Sequence, residues 1–319
     1  MEKRKHKLTF KEWTQTLRAK RLAVIVAFLI VPVFLLVLFT YYPFYKMIEF
    51  SFYDMKYIGA RTFVGLQNYM EVFTRKECFG ALTLTLYYIL GSFVQLSIAL
   101  YFATMFVFKV KGEGVFKAIM FFPYLICGIA IGFIFKFFYT RGFVLDTVLH
   151  WFGLKLDSLP YWLKDTRINN FSLVATSVWR YMGQNMVLFL GAMMSVDNTL
   201  YEAAAIDGAN DWQKFRFVML PGIKSVVVLN IILSISGSLS AFEPPYVITG
   251  GNFGTATYFV MMNRIAHESQ KVGLASAMAI VLMVIIILVT LLQKLAIAKL
   301  LPENKPDKKP LFKKRGAKA

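Results

Sequence analysis

The chain has 319 residues, 57% of them hydrophobic and 16% aromatic, with a mean hydropathy of +0.56. Only 17% are charged, where a soluble domain carries about a quarter, so the apolar content exceeds what one soluble core needs. The net charge of +18 does not point to nucleic acid: the basic residues sit between and outside long apolar runs, with no stacked-aromatic or zinc pattern beside them.

Those apolar runs approach the ~20 residues that cross a bilayer core as a helix. They predict an all-α integral membrane protein with six spans, at roughly 22–42, 82–108, 116–138, 171–196, 223–242 and 273–296. Residues 1–21 are basic, and the apolar run 24–42 is too long for a signal-peptide core, with no small-x-small site before Tyr41-Tyr42-Pro43; it reads as a retained first span. Prolines and glycines inside the spans, such as Pro32, Pro123 and Gly128, are tolerable where neighbouring helices satisfy the freed backbone groups. The Lys- and Pro-rich tail 297–319 reads as disordered. The expected organisation is a basic segment 1–21, a membrane domain 22–296 and that basic tail. Two cysteines, Cys78 and Cys127, are far apart and suggest neither a disulfide framework nor a metal site.

Orientation follows from charge. Segments 1–21, 109–117, 197–224 and 297–319 hold 22 lysines and arginines in 81 residues; the alternate segments 43–81, 139–170 and 243–272 hold 11 in 101. The positive-inside rule then places both termini and the 197–224 loop in the cytoplasm of a multi-pass cell-membrane protein.

That loop is unusual for a connector. Asp197 or Asn198 can cap a helix through an alanine-rich turn, and Gly208 can end it in the left-handed conformation. Asn210 or Asp211 can cap a second helix running to Leu220, and Pro221 suits the first turn of the fifth span. Tyr201, Ala204, Ala205, Trp212, Phe215 and Phe217 need cover, which either the chain's own spans or another protein could supply.

The run Glu202-Ala203-Ala204, then Gly208, then Val218, Met219 and Leu220-Pro221 resembles the EAA loop of binding-protein-dependent ABC importer permeases, with the pattern EAA-x3-G-x9-I-x-LP. Val218 for Ile is the one departure within it. Trp179 and Gly183 upstream, and Thr249-Gly250-Gly251 with 273–277 downstream, resemble the carbohydrate branch, of the maltose/glycerol-phosphate type and its first permease subunit. Asn252-Phe253-Gly254 departs from the Gly-Pro stretch usual there. The resemblance covers roughly 82–296. It implies the six-helix type I importer permease fold, with a coupling loop on which Glu202, Ala203, Ala204, Asp207, Gly208, Leu220 and Pro221 engage a separate ATPase. It further implies a second permease subunit, an ATPase dimer, an external solute-binding protein and a sugar, of oligosaccharide class, as partners. ATP would be bound by the ATPase, so this chain needs no cofactor of its own and is not expected to be an enzyme.

Inside the membrane, Asn230, Ser234 and Ser238 recur every four residues and share one helical face. They could bond neighbouring helices or meet a solute. The resemblance places substrate contacts at Ser177, Arg180, Tyr181 and Gln184, and at Ser234, Gly237, Ser238 and Ala241. Arg180, deep in a span, could pair with Glu243, contact substrate, or extend to the surface. The competing functions are an ABC permease for a non-sugar solute, an ion-coupled secondary carrier and a lipid-linked transferase. The carrier requires acidic residues deep in the spans, and none stands out; the transferase requires a metal-binding acidic pair, for which Asp207 and Asp211 are the available residues.

Overall fold

The computed structural model describes residues 17–108 and 111–300; most of the basic N-terminal segment and of the tail lies outside them. Two compact units are present: residues up to 74 with 265–280, and residues 75–264 with 281 onward.

In the first unit, α1 (Leu17–Leu36) passes through a π turn at Val37–Tyr41 into α2 (Tyr42–Phe50). Every residue from 20 to 43 is exposed, and an apolar helix left bare by its own chain suits hydrocarbon. Strands β1 (Tyr53–Asp54) and β2 (Thr62–Phe63) pair antiparallel, with Tyr53 opposite Phe63. Helix α3 (Gln67–Thr74) holds the ribbon, because buried Asn68 donates Nδ2 to the carbonyls of Ser51 and Tyr53, at 2.9 and 3.0 Å. Residues 265–280 complete the unit: the Val272 amide donates to the Met55 carbonyl at 3.0 Å, and Gly273 abuts the Tyr53 carbonyl too closely for any side chain.

The chain continues through α4 (Lys76–Gly80), α5 (Thr85–Val107), α6 (Glu113–Leu125), α7 (Gly128–Tyr139), α8 (Val144–Trp151) and α9 (Asn169–Met194). The loop helices α10 (Asn198–Ile206), α11 (Asp211–Lys214) and α12 (Leu220–Gly222) follow, then α13 (Lys224–Leu239), α14 (Glu243–Ile248), α15 (Tyr258–His267) and α16 (Val272–Leu300). The core of the second unit is the packing of α5 on α9. Ala99, Ala103 and Phe106 meet Met186, Phe189 and Met193, and Met219 and Ile223 close the lower end. Close approach depends on glycines: the Val174 side chain fills the space beside Gly91, and the Met120 carbonyl lies against Gly183.

The six expected runs are all helical, with two departures from six simple spans. Among the described residues four helical stretches are long and apolar enough to cross a membrane, at Lys20–Phe50, Lys76–Val107, Lys224–Ile248 and Val272–Ile297. The run expected as one helix over 116–138 is two, α6 and α7, bent by 100°. Pro123 withholds a backbone donor in the last turn of α6, and Ile126 and Cys127 are extended before α7 begins. The fourth, α9, has 26 residues but is too polar to pass the same length and composition test. Its buried residues include Asn169, Asn170, Ser172, Thr176 and Asn185, so protein rather than lipid surrounds that face.

Candidate functional site

Two features stand out in the second unit. The first is a cavity of about 550 Å³ between α5, α9 and α13, within the range of small-molecule sites. Ser177, Tyr181 and Gln184 line it from α9, and Ser234, Gly237 and Ser238 from α13, with Ala241 beyond. These are positions that the sequence had pointed to for solute contact.

Hydrogen bonding gives the wall its chemistry. Ser238 donates Oγ to the Ser234 carbonyl at 2.8 Å, and Asn230 and Asn185 donate their amides to the carbonyls of Val226 and Tyr181 at 2.9 and 3.1 Å. The Ser238 proton and one N–H of each amide are spent within the helices, which leaves the side-chain oxygens as acceptors and a second N–H on each asparagine as a donor. Gln95 and Gln184 form no side-chain hydrogen bond among the described residues, so donors are available as well. A wall of this kind matches groups that both donate and accept, which is the property of a hydroxyl.

Arg180 does not line the cavity. Its Nη1 pairs with Oε2 of Glu243, its guanidinium lies 5.0 Å over the Tyr181 ring, and its Nε is buried with no partner. Glu243 does line the cavity, and its side chain is 42% exposed against 14% for Arg180. Of the three arrangements open to Arg180, the ion pair is the one formed. Sequence reasoning missed the α5 contribution, Tyr88, Ser92 and Gln95, together with Asn185. A glutamine in the middle of an apolar span was the available signal.

The second feature is the 197–224 loop. Asp197 accepts from the Thr199 amide at 3.0 Å and caps α10. Hydrogen bonding to that amide holds the exposed Asp197 carboxyl below the usual aspartate range. Gly208 has φ +76°, the left-handed turn its position called for. Asn210 and Gln213 form a capping box, each side chain accepting from the other's backbone amide at 2.9 and 2.8 Å. From α11 the backbone passes through a π turn at Phe215–Met219 to Leu220 and Pro221.

The loop's apolar residues divide into two sets. Tyr201 and Phe215 pack on the α5–α9 core, and burial pushes the Tyr201 hydroxyl up. Leu200, Ile206, Trp212 and Phe217 are exposed, Ile206 by 87% and Phe217 by 70%. Glu202, Ala203, Asp207, Gly208 and Pro221 are exposed beside them, while Ala204 and Leu220 are half-buried. The chain's own spans therefore cover one side of the loop and leave the other open.

At the far end, the turn at 249–255 replaces the expected Gly-Pro stretch with bonds of its own. Asn169 donates to the Phe253 carbonyl at 2.7 Å, and Arg264 donates to the Gly250 carbonyl and to Asn252 Oδ1.

Membrane-length apolar helices around a polar cavity, with a capped loop left half-covered, fit a transport permease. The chain belongs to the family of binding-protein-dependent transport system inner membrane components, whose model matches residues 16–301. Membership makes it a membrane component of a transport system rather than an enzyme. It is 31% identical over 278 residues to an arabinooligosaccharides transport system permease protein of Halalkalibacterium halodurans, covering 84% of this chain and 86% of that one. It is also 31% identical over 250 residues to an osmoprotective compounds uptake permease protein of Synechocystis, covering 77% and 88%. The fold is that of a crystallised bacterial alginate ABC transporter in complex with its pentasaccharide-bound periplasmic protein. The TM-score is 0.77 at 20% identity, covering 90% of this chain and 98% of that one.

Proposed function

We propose that this chain forms half of the translocation pathway of an ATP-driven importer of sugars, of oligosaccharide size. The observation that carries this reading is the cavity wall, where bonded serine and asparagine side chains present acceptors beside two unengaged glutamines. The sugar-transporting relative points the same way. Ser177, Tyr181, Gln184, Ser234 and Ser238 contact the solute, with the Tyr181 ring suited to the apolar face of a sugar; Arg180 acts through Glu243.

In this reading both termini and the 197–224 loop are cytoplasmic. Glu202, Ala203, Ala204, Asp207 and Gly208 enter a cleft of a separate ATPase, and Leu220 and Pro221 carry the motion back into the membrane. Closure of the ATPase pair moves this loop and its counterpart on a second permease as rigid bodies. ATP stays with the ATPase, and the chain requires no cofactor. A solute-binding protein docks on the outer loops, where Trp151 and Phe152 are 78% and 82% exposed. A non-sugar solute is the second reading, favoured by the osmoprotective-compound relative. Co-purification of the chain with its ATPase and second permease, followed by a solute screen for ATPase stimulation, tests both. Stimulation by neutral oligosaccharides is expected; failure to associate with any ATPase would refute the assignment.

A further inference from the structure

Among the described residues, the Glu243 carboxylate is the one charged group on the wall of the α5–α9–α13 cavity. It also lines a second cavity of about 800 Å³, bounded by α7, α14 and the 249–253 turn, with Lys136 and Lys164 on its rim. Glu243 thus borders both cavities. Its orientation is fixed from behind. Arg180, which lines neither cavity, holds Oε2, and among the described residues Oε1 has no hydrogen-bond partner. Gly128, at the start of α7, abuts both the carboxylate and the guanidinium, and no side chain could occupy its place without moving the pair.

The pair is neutral as a whole but polarised: the negative end faces the cavity and the positive end faces protein. A carboxylate so placed accepts strong charge-assisted hydrogen bonds from hydroxyls. It repels a second carboxylate, because rejection of a wrong ligand comes from repulsion as much as from attraction of the right one. We propose that Glu243, held by Arg180 and Gly128, is a specificity-determining residue that admits neutral polyhydroxylated solutes and excludes sugar acids. This deepens the sugar-permease reading and rests on it. Arg180 and Gly128 are positioning residues.

The test uses the assembled complex of this chain, its second permease and its ATPase in nanodiscs, without the solute-binding protein. Binding of maltotriose and arabinotriose, as neutral probes, is compared with trigalacturonate by isothermal titration. The wild-type complex is expected to bind a neutral trimer on the order of 10-fold or more tightly than the acidic one, since bringing like charges together is unfavourable. Glu243→Gln narrows that ratio, and Gly128→Ala, which leaves every charge in place but displaces the pair, narrows it too. The exchange Arg180→Glu with Glu243→Arg keeps an ion pair but turns its positive end to the cavity. It is expected to favour trigalacturonate, a gain that misfolding cannot mimic. Equal binding of both classes by the wild type overturns the proposal, as does an unchanged ratio in the variants that still assemble with the ATPase. If no trimer of either class binds, the sugar reading itself falls; if neutral trimers bind but the ratio ignores Glu243, only this inference does.

Discussion

The 197–224 loop takes its shape from bonds that span two or three residues, such as Asp197 to Thr199 and Asn210 to Gln213. The cavity takes its shape from side chains between residues 88 and 259 on several helices. The loop's caps and turn are therefore set locally, although Tyr201 and Phe215 pack on the α5–α9 core. The cavity exists only if the helices pack at the right separation, which Gly91 sets between α5 and α9. In the proposed function the half-covered loop transmits force and the cavity discriminates among solutes.

Substitutions can break each side of that contrast separately. Reversing the charge of exposed Glu202 to lysine should have the largest effect. Loss of an interface hot spot costs about 2 kcal/mol or more, roughly 30-fold in affinity, so uptake and ATPase association should fall together while protein level in the membrane holds. Gly183→Val forces a side chain against the Met120 carbonyl. It should destabilise the second unit by about 1–3 kcal/mol, as overpacking does, read as a lower thermal midpoint in detergent. Ser234→Ala with Ser238→Ala should leave assembly intact and weaken solute stimulation by roughly 5-fold per hydrogen bond lost, at about 1 kcal/mol each.

Smaller effects belong to the caps. Asn210→Ala removes one arm of the capping box and should loosen α11 by ~1 kcal/mol, visible as faster amide exchange at 211–214. The Asp197 carboxyl is held below its ordinary value of about 3.9 by the Thr199 amide. A depressed carboxyl contributes stability above its unfolded value and loses it as pH falls through the folded one. Exchange at the start of α10 should therefore quicken only below about pH 4, and Asp197→Asn should flatten that dependence.

How much was legible in the sequence follows the same division. Asp197, Gly208 and Asn210 signal their roles through neighbours a few residues away, and the structure gives each the turn or cap expected of it; Pro221 instead opens the short helix α12, and the fifth span begins at Lys224. The serine stripe was legible as one helical face for the same reason. The break between α6 and α7 was not: Pro123 is tolerable in a membrane helix, and only packing decides whether the chain bends there. Gln95 and Asn185 were passed over because their meaning depends on which helix lies opposite. Arg180 left three outcomes open in the sequence, and the position of Glu243 beside Gly128 selects one of them.

The central claim is that the open side of the 197–224 loop is the ATPase docking surface. The most direct measurement is amide exchange at 198–206 in the reconstituted permease pair, with and without its ATPase. Slower exchange at these residues on adding the ATPase, abolished by Glu202→Lys, is the predicted result. Exchange there that stays unchanged while the ATPase is bound would contradict the account.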